Sequence, residues 1–221
     1  VHGHLVHFVE QEQRVPDLHL AEVLDDLTGH RANVRAPVTA NLGFVAHAAF
    51  APSTIPEFIA HARANAGKVD FASGGPGSPQ HMGMELFMWK AGVRLNHIPY
   101  RGVTPAFNDV VAGHVPTMIV GFPAPIPFVQ SGKLKMIAVT AARRSRNFPD
   151  VATVAESGFP GFEFSTCGGI VAPARTPPAI VERLHGSAVA ALRDPKIAAK
   201  LSDLGFDIIA NSPQDFAATL K

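Results

Sequence analysis

Cysteine is almost absent from this sequence, since Cys167 is the single one among 221 residues. One cysteine excludes an intrachain disulfide and a multi-cysteine metal site, and we expect Cys167 to be buried or inert. No apolar run is long enough to span a bilayer. The first residues, VHGHLVHFVEQEQ, lack the positively charged stretch that opens a signal peptide.

The sequence also has no excess of charge of either sign, because the formal net charge is only +1. The one basic cluster, Arg143, Arg144 and Arg146, has no aromatic residues between its members. A nucleic-acid partner is therefore not expected, since such proteins combine a basic surface with stacking side chains.

Several catalytic and nucleotide-binding motifs are absent as well. The sequence contains no G-x-S-x-G, no Walker loop and no G-x-G-x-x-G. A histidine cluster, His2, His4 and His7, lies at the N-terminus, where chain ends commonly fray and no carboxylate is held close by in a fixed frame, so we expect no native metal site there. No cofactor is predicted.

What is present is a regular alternation of short apolar runs and capped helical segments from Pro52 onward. Predicted strands cover 69–73, 93–99, 115–120, 134–140 and 206–210, and predicted helices start near 54, 78, 104, 177, 195 and 213. Strands separated by helices predict an α/β fold with a largely parallel sheet. The turns after Phe71, Pro99 and Val120 would then face one crevice, where such sheets bind ligands. Leu20, Val23, Leu24 and Leu27 could form one further helix.

The stretch Lys68 to His81, KVDFASGGPGSPQH, is the strongest candidate site. A strand runs into a glycine-rich turn and then a helix start, which presents backbone N–H groups to a small anion. The three glycines allow close approach of a ligand and the two serines add hydroxyl donors. The alternative is an ordinary turn that Ser78 caps, and His81 could either bind a carboxylate or tie the loop to a neighbouring group.

From about Val34 to Lys221 the chain resembles the receptors of tripartite tricarboxylate transporters, the Bug or TctC-like family. The matching stretches include TIPEFIAHARANAGKVDFASGGPGSPQH, HIPYRG, GKLKMIAVTAARRS and FPDVATVAESGFPGFE. The resemblance implies a two-lobed periplasmic-binding-protein-like (type II) clamshell, which binds small carboxylates and delivers them to membrane permease subunits. The ligand-binding residues it implies are Ser73, Gly74, Gly75, Gly77, Ser78, His81, Gly102, Val103 and Thr104.

The resemblance also divides the chain. Residues 1–33 do not match the opening of lobe one, 34–165 would form the second lobe, and 166–221 would be the C-terminal part of a largely incomplete first lobe. Val120 and Gly121 stand where the family commonly has an Asp-Asn pair, and Cys167 and Gly168 replace an aromatic pair. Both changes make the predicted cleft less polar and roomier.

The sequence therefore predicts a periplasmic, non-enzymatic carboxylate receptor that closes on its ligand. A lone second lobe offers only half of the usual contacts, so we expect weak binding unless residues 1–33 or a second chain supply the rest. One alternative is a small serine hydrolase that uses Ser78 with His81, although neither the nucleophile elbow nor a third catalytic residue is recognisable. The other is a non-functional gene fragment.

Overall fold

The computed structural model describes residues 38–168, 172–173, 175–203 and 206–210. Its elements in chain order are β1 (Val38–His47), α1 (Ile55–Ala64), β2 (Asp70–Ser73), α2 (Pro79–Ala91), β3 (Asn96–Pro99), α3 (Val103–Ala112), β4 (Thr117–Gly121), α4 (Ile126–Gln130), β5 (Leu134–Val139), β6 (Ser165–Gly168), α5 (Pro178–Arg193), α6 (Pro195–Asp203) and β7 (Phe206–Ile208). No helix among these is both long and apolar enough to cross a membrane. The helices predicted at Leu20–Leu27 and after Ser212, and the side chain of Cys167, lie outside the described residues.

The helix starts lie where the capping residues predict them. Thr54 caps α1 by accepting the Glu57 N–H at 3.4 Å, while the Glu57 carboxylate accepts the N–H of Ser53 at 2.8 Å. This is the predicted capping box, except that the Glu57 carboxylate binds the N–H of the residue before the cap instead of the N–H of Thr54 itself. Ser78 caps α2 by accepting the His81 N–H at 3.4 Å. Gly92 ends α2 at φ 60°, in the left-handed region that glycine tolerates.

The sheet has the order β3-β2-β4-β1-β5, and β6 and β7 also pair with β1. Among the strands of the described residues, only the β2–β3 and β2–β4 pairs are parallel, whereas β1 is antiparallel to β4, β5, β6 and β7. The prediction of a largely parallel sheet is therefore wrong. The reason is the ten-residue β1, which was not predicted and which lies between β4 and β5 in the reverse direction.

Strand β1 belongs to two groups of strands at once. Its first part, Val38–Asn41, pairs with β6 and β7, while its second part, 42–47, pairs with β4 and β5. The chain returns to the first group at Ser165. Just before this, the Phe164 N–H donates to the Thr140 carbonyl, and the Phe164 carbonyl accepts from the Thr140 hydroxyl. The junction between the two groups therefore runs through β1 and the segment before β6.

The core lies on both faces of the sheet because side chains alternate along β1. Phe44 points to one face, where its ring lies 4.8 Å from that of Phe58 on α1 and 5.2 Å from that of Phe87 on α2. Val45 points to the other face, toward Phe107 of α3 and its apolar neighbours. Helices on both faces of the sheet form three layers, and this arrangement fixes where α2 and α3 begin.

Candidate functional site

Strands β2, β3 and β4 end at the same edge of the sheet. Ser73 pairs in parallel with Pro99, and Ala72 with Met118, so the turns that follow these strands lie side by side, as predicted. The N–H of Tyr100 donates to the Ser73 carbonyl at 3.0 Å and joins the first two turns directly. Helices α2 and α3 start from these turns, so both N-termini lie at this edge.

The loop from Ser73 to Ser78 is held by bonds within itself. The N–H of Gly75 donates to Oγ of Ser73 at 3.1 Å, and the N–H of Ser78 donates to the Gly75 carbonyl at 3.1 Å. The N–H of Gly77 donates to Nδ1 of His81 at 3.1 Å. Three of the predicted anion donors are therefore already engaged inside the loop.

Gly74 touches the start of α3. A Cβ atom at Gly74 would lie 3.2 Å from the nitrogen of Val103 and 3.3 Å from the carbonyl carbon of Gly102. Within the described part of the chain, no acceptor takes the N–H groups of Gly74, Val103 or Thr104. The geometry thus places a free loop N–H beside the free first N–H groups of a second helix, and the two helix dipoles favour an anion at this point.

Three rings stack against one another beside the loop. The His97 centroid lies 4.8 Å from that of Phe71 and 4.2 Å from that of His81, and the Phe71 and His81 centroids are 6.3 Å apart. Nε2 of His97 lies 2.6 Å from Oγ of Ser73, and Nε2 of His81 lies 3.3 Å from Glu85. Burial, with the neighbouring His81 second, lowers the pKa of His97 to about 4, so its ring is neutral at pH 7 and supports the loop without adding charge.

The geometry gives the hydrolase alternative no support. Oγ of Ser78 accepts the backbone N–H of His81, while the His81 ring is bound to Gly77 and Glu85. The serine that does meet a histidine ring is Ser73, whose side chain is fully buried. A nucleophile must reach a substrate, and Ser73 cannot.

Two residues of this region were missed from the sequence. His97 falls within the predicted strand 93–99 and Gln80 within the helix predicted to start near 78, and neither had a predicted role, yet Gln80 is buried with an unpartnered side-chain oxygen. The features that point to them are the strand pairing of His97 and the helix position of Gln80, which place both residues beside the loop. Among the described residues no group of three or more His, Cys, Asp or Glu is placed to hold a metal, and His2, His4 and His7 lie outside that part of the chain.

Known proteins resemble the chain along most of its length. Residues 19–221 match the family model described as "Tripartite tricarboxylate transporter family receptor". The UPF0065 protein in the tcbD-tcbE intergenic region of Pseudomonas sp. strain P51 is 36% identical over 168 residues, which cover 76% of this chain and 50% of that protein. The chain therefore spans half the length of this relative.

Solved structures show the same fold. A Rhodopseudomonas palustris protein with adipate superposes with a TM-score of 0.82 at 27% identity, covering 86% of this chain and 64% of that one. The structure titled periplasmic binding protein BugD superposes with a TM-score of 0.79 at 32% identity, again over 86% and 64%. These likenesses confirm the predicted α/β fold of the periplasmic-binding-protein kind.

Proposed function

The chain belongs to the tripartite tricarboxylate transporter receptor family, and we propose that it binds a small carboxylate at the edge where α2 and α3 begin. The observation that carries this proposal is the contact between Gly74 and the α3 N-terminus, which brings the free N–H groups of Gly74, Val103 and Thr104 together. The adipate in one similar structure supports a carboxylate as ligand.

The physical basis is the convergence of neutral donors. A carboxylate accepts several hydrogen bonds at once, and bonds to a charged acceptor are stronger than neutral ones. Backbone N–H groups at helix starts supply such bonds without a cationic side chain. The Ser78 hydroxyl accepts one bond from His81 and keeps its own proton, so it can add a further donor. Gly75 and Gly77 shape the loop in this proposal, while their N–H groups stay bound inside it.

The wider role follows the family. We propose that the complete receptor acts in the periplasm, closes on its ligand and passes it to membrane permease subunits, with no covalent chemistry and no cofactor. Family membership and the likeness to a periplasmic binding protein support this role. The division into residues 1–33, 34–165 and 166–221 stays part of the proposal, with β1 shared between the two groups of strands.

A matched pair of glycine substitutions tests the binding site. In Gly74→Ala the new Cβ would lie 3.1 Å from Cγ2 of Val103 and 3.2 Å from its nitrogen, so the α3 start must move away. Gly186→Ala on α5 meets nothing within 4 Å and serves as the control. Titration calorimetry with adipate, succinate, citrate and benzoate measures both variants against the original chain.

We expect at least one carboxylate to bind the original chain, about tenfold weaker binding in Gly74→Ala, and unchanged affinity in Gly186→Ala, because displaced donors lose charge-assisted bonds. A cooperative thermal melt of each variant checks that it is folded. The proposal fails if no carboxylate binds the original chain, or if folded Gly74→Ala binds as tightly as the control.

A further inference from the structure

The ring of His81 ties the glycine-rich loop to helix α2. Its Nδ1 accepts the N–H of Gly77 at 3.1 Å, and its Nε2 lies 3.3 Å from Oε1 of Glu85. A ring nitrogen that accepts an N–H carries no proton, so these bonds assign the proton of the neutral ring to Nε2, which donates it to Glu85. The side chain is 21% exposed, so solvent protons reach the ring.

A second proton on the His81 ring has one place to bind. That place is Nδ1, because Nε2 already carries the proton of the neutral ring. A protonated Nδ1 can no longer accept the Gly77 N–H, and the two N–H groups would face each other. Protonation therefore breaks this bond and leaves two unpaired donors at the loop, the Gly77 N–H and the Nδ1–H of a positively charged ring.

Among the described residues, the titratable groups in contact with this ring come from two elements. Glu85 of α2 favours the charged ring through its carboxylate. His97 of β3 stacks on it and would oppose the charge, but burial lowers the pKa of His97 to about 4, so His97 is neutral at pH 6.5 and above. Phe71 of β2 contributes an apolar ring. The positive end of the α2 dipole opposes the charged ring until an anion lies there.

A bound carboxylate reverses this balance. Its oxygens accept hydrogen bonds from the released donors, and its negative charge attracts the charged ring. We propose that His81 is a proton-linked switch of the proposed site, in which the carboxylate and a proton on Nδ1 bind together. This inference rests on the proposed function. The neutral ring keeps the Gly77 N–H inside the loop, whereas the protonated ring makes both donors available to the ligand. Ligand affinity therefore rises as the pH falls.

The pH dependence of ligand affinity tests this switch. Histidine changes its charge between pH 5 and 8, whereas carboxyl groups ordinarily ionise near pH 4, so the interval from pH 8 to pH 6.5 titrates the ring and not the ligand. Titration calorimetry of the full chain with adipate, succinate and benzoate gives the affinity at both pH values. We expect a ligand that binds to do so about three- to fivefold more tightly at pH 6.5.

Proton uptake on binding is a second readout of the same coupling. Calorimetry at pH 7 in phosphate and in Tris, two buffers with different ionisation enthalpies, gives the number of protons taken up for each ligand bound. We expect about half a proton, because the ring is partly protonated before the ligand binds and more fully afterwards. A site without a titrating group would take up none.

A matched pair of asparagine substitutions assigns the proton to one ring. His81→Asn removes the titrating group and keeps an acceptor, because Oδ1 of asparagine lies nearly where Nδ1 of histidine does. We expect this variant to lose both the pH dependence and the proton uptake. His61→Asn makes the same change on α1, where the His61 ring lies 5.0 Å from that of Phe50, and should keep both.

Proton NMR of the His81 ring reads the switch directly in the original chain. The ring signal is identified by its absence from His81→Asn. With a saturating carboxylate, citrate included, we expect the midpoint of the ring titration to move to a pH about one unit higher, which corresponds to a tenfold coupling. This measurement holds even if His81→Asn binds no ligand.

Several results would overturn the inference. One is an affinity that stays equal or falls from pH 8 to pH 6.5, and another is a pH dependence that survives in His81→Asn. A ring titration that the ligand leaves unchanged would also do so. A carboxylate that binds without any of these effects removes this inference alone. If no carboxylate binds at either pH, the proposed function fails with it.

Discussion

Thr140 joins the two groups of strands, and its hydroxyl is the most informative single group to remove. The residue follows β5 and is fully buried. Its N–H donates to the Leu42 carbonyl at 3.0 Å, and its Oγ1 lies 3.1 Å from that oxygen and 2.7 Å from the Phe164 carbonyl. The N–H of Phe164 returns to the Thr140 carbonyl at 2.8 Å. One side chain thus connects β1 with the segment that enters β6.

The substitution Thr140→Val replaces the hydroxyl by a methyl group of similar size. The Leu42 carbonyl keeps its bond from the Thr140 N–H, whereas the partly buried Phe164 carbonyl loses its hydroxyl partner. A lost hydrogen bond with one partner left unsatisfied costs about 1–2 kcal/mol of unfolding free energy. Thr117→Val is the matched control, because Thr117 is equally buried and its hydroxyl donates to Val45 within the sheet at 3.0 Å.

Urea unfolding measures the free energy, and amide hydrogen exchange locates the change. We expect both variants to lose about 1–2 kcal/mol, but only Thr140→Val to speed exchange at the Phe164 N–H, because only this change loosens the junction. The reasoning is refuted if Thr140→Val stays within about 0.3 kcal/mol of the original chain. It is also refuted if Thr117→Val speeds exchange at Phe164 equally.

Two further outcomes follow from the loop and the ring stack. Gly75→Ala should lower the unfolding free energy by about 1–3 kcal/mol in urea, because Gly75 has φ 117° and its Cβ would lie 3.2 Å from the Tyr100 carbonyl; a stability equal to that of Gly186→Ala would contradict this. His97 should destabilise the fold as pH falls from about 6.5 to about 4, since the unfolded chain binds a proton there that the folded ring, with its pKa lowered to about 4, does not. Because this ring is partly screened by solvent, we expect His97→Gln to remove about 1–2 kcal/mol of the unfolding free energy that the original chain loses between pH 7 and pH 4. Urea unfolding across this pH range measures the difference, and identical pH profiles of the two proteins would disprove the lowered pKa of His97.

Local signals account for the elements that were predicted. Thr54 and Ser78 start helices because their side chains satisfy free N–H groups within three residues, and Gly92 ends a helix through its own backbone freedom. The same short range explains the glycine loop, since a strand, a flexible turn and a cap follow one another directly. Each of these features depends only on neighbouring residues.

Strand β1 was missed because its pairing depends on distant residues. Asn41 and Gly43 interrupt its apolar pattern, and Gly43 is suited to its place only because a Cβ there would meet Sδ of Met136 at 2.5 Å. The partners of β1 lie about 70 to 170 residues further along the chain, so no local pattern shows its reversed direction.

For the candidate site, the sequence by itself determined the loop, its glycines and the two helix starts, because these arise from backbone geometry of adjacent residues. Only the tertiary structure decided which donors remain free. It engaged the Gly77 N–H with the ring of His81, brought Gly74 against Val103, and buried the oxygen of Gln80 without a partner. The physical reason is that a hydrogen bond is satisfied or left open by whatever folds against it, and those groups come from separate turns of the sheet edge.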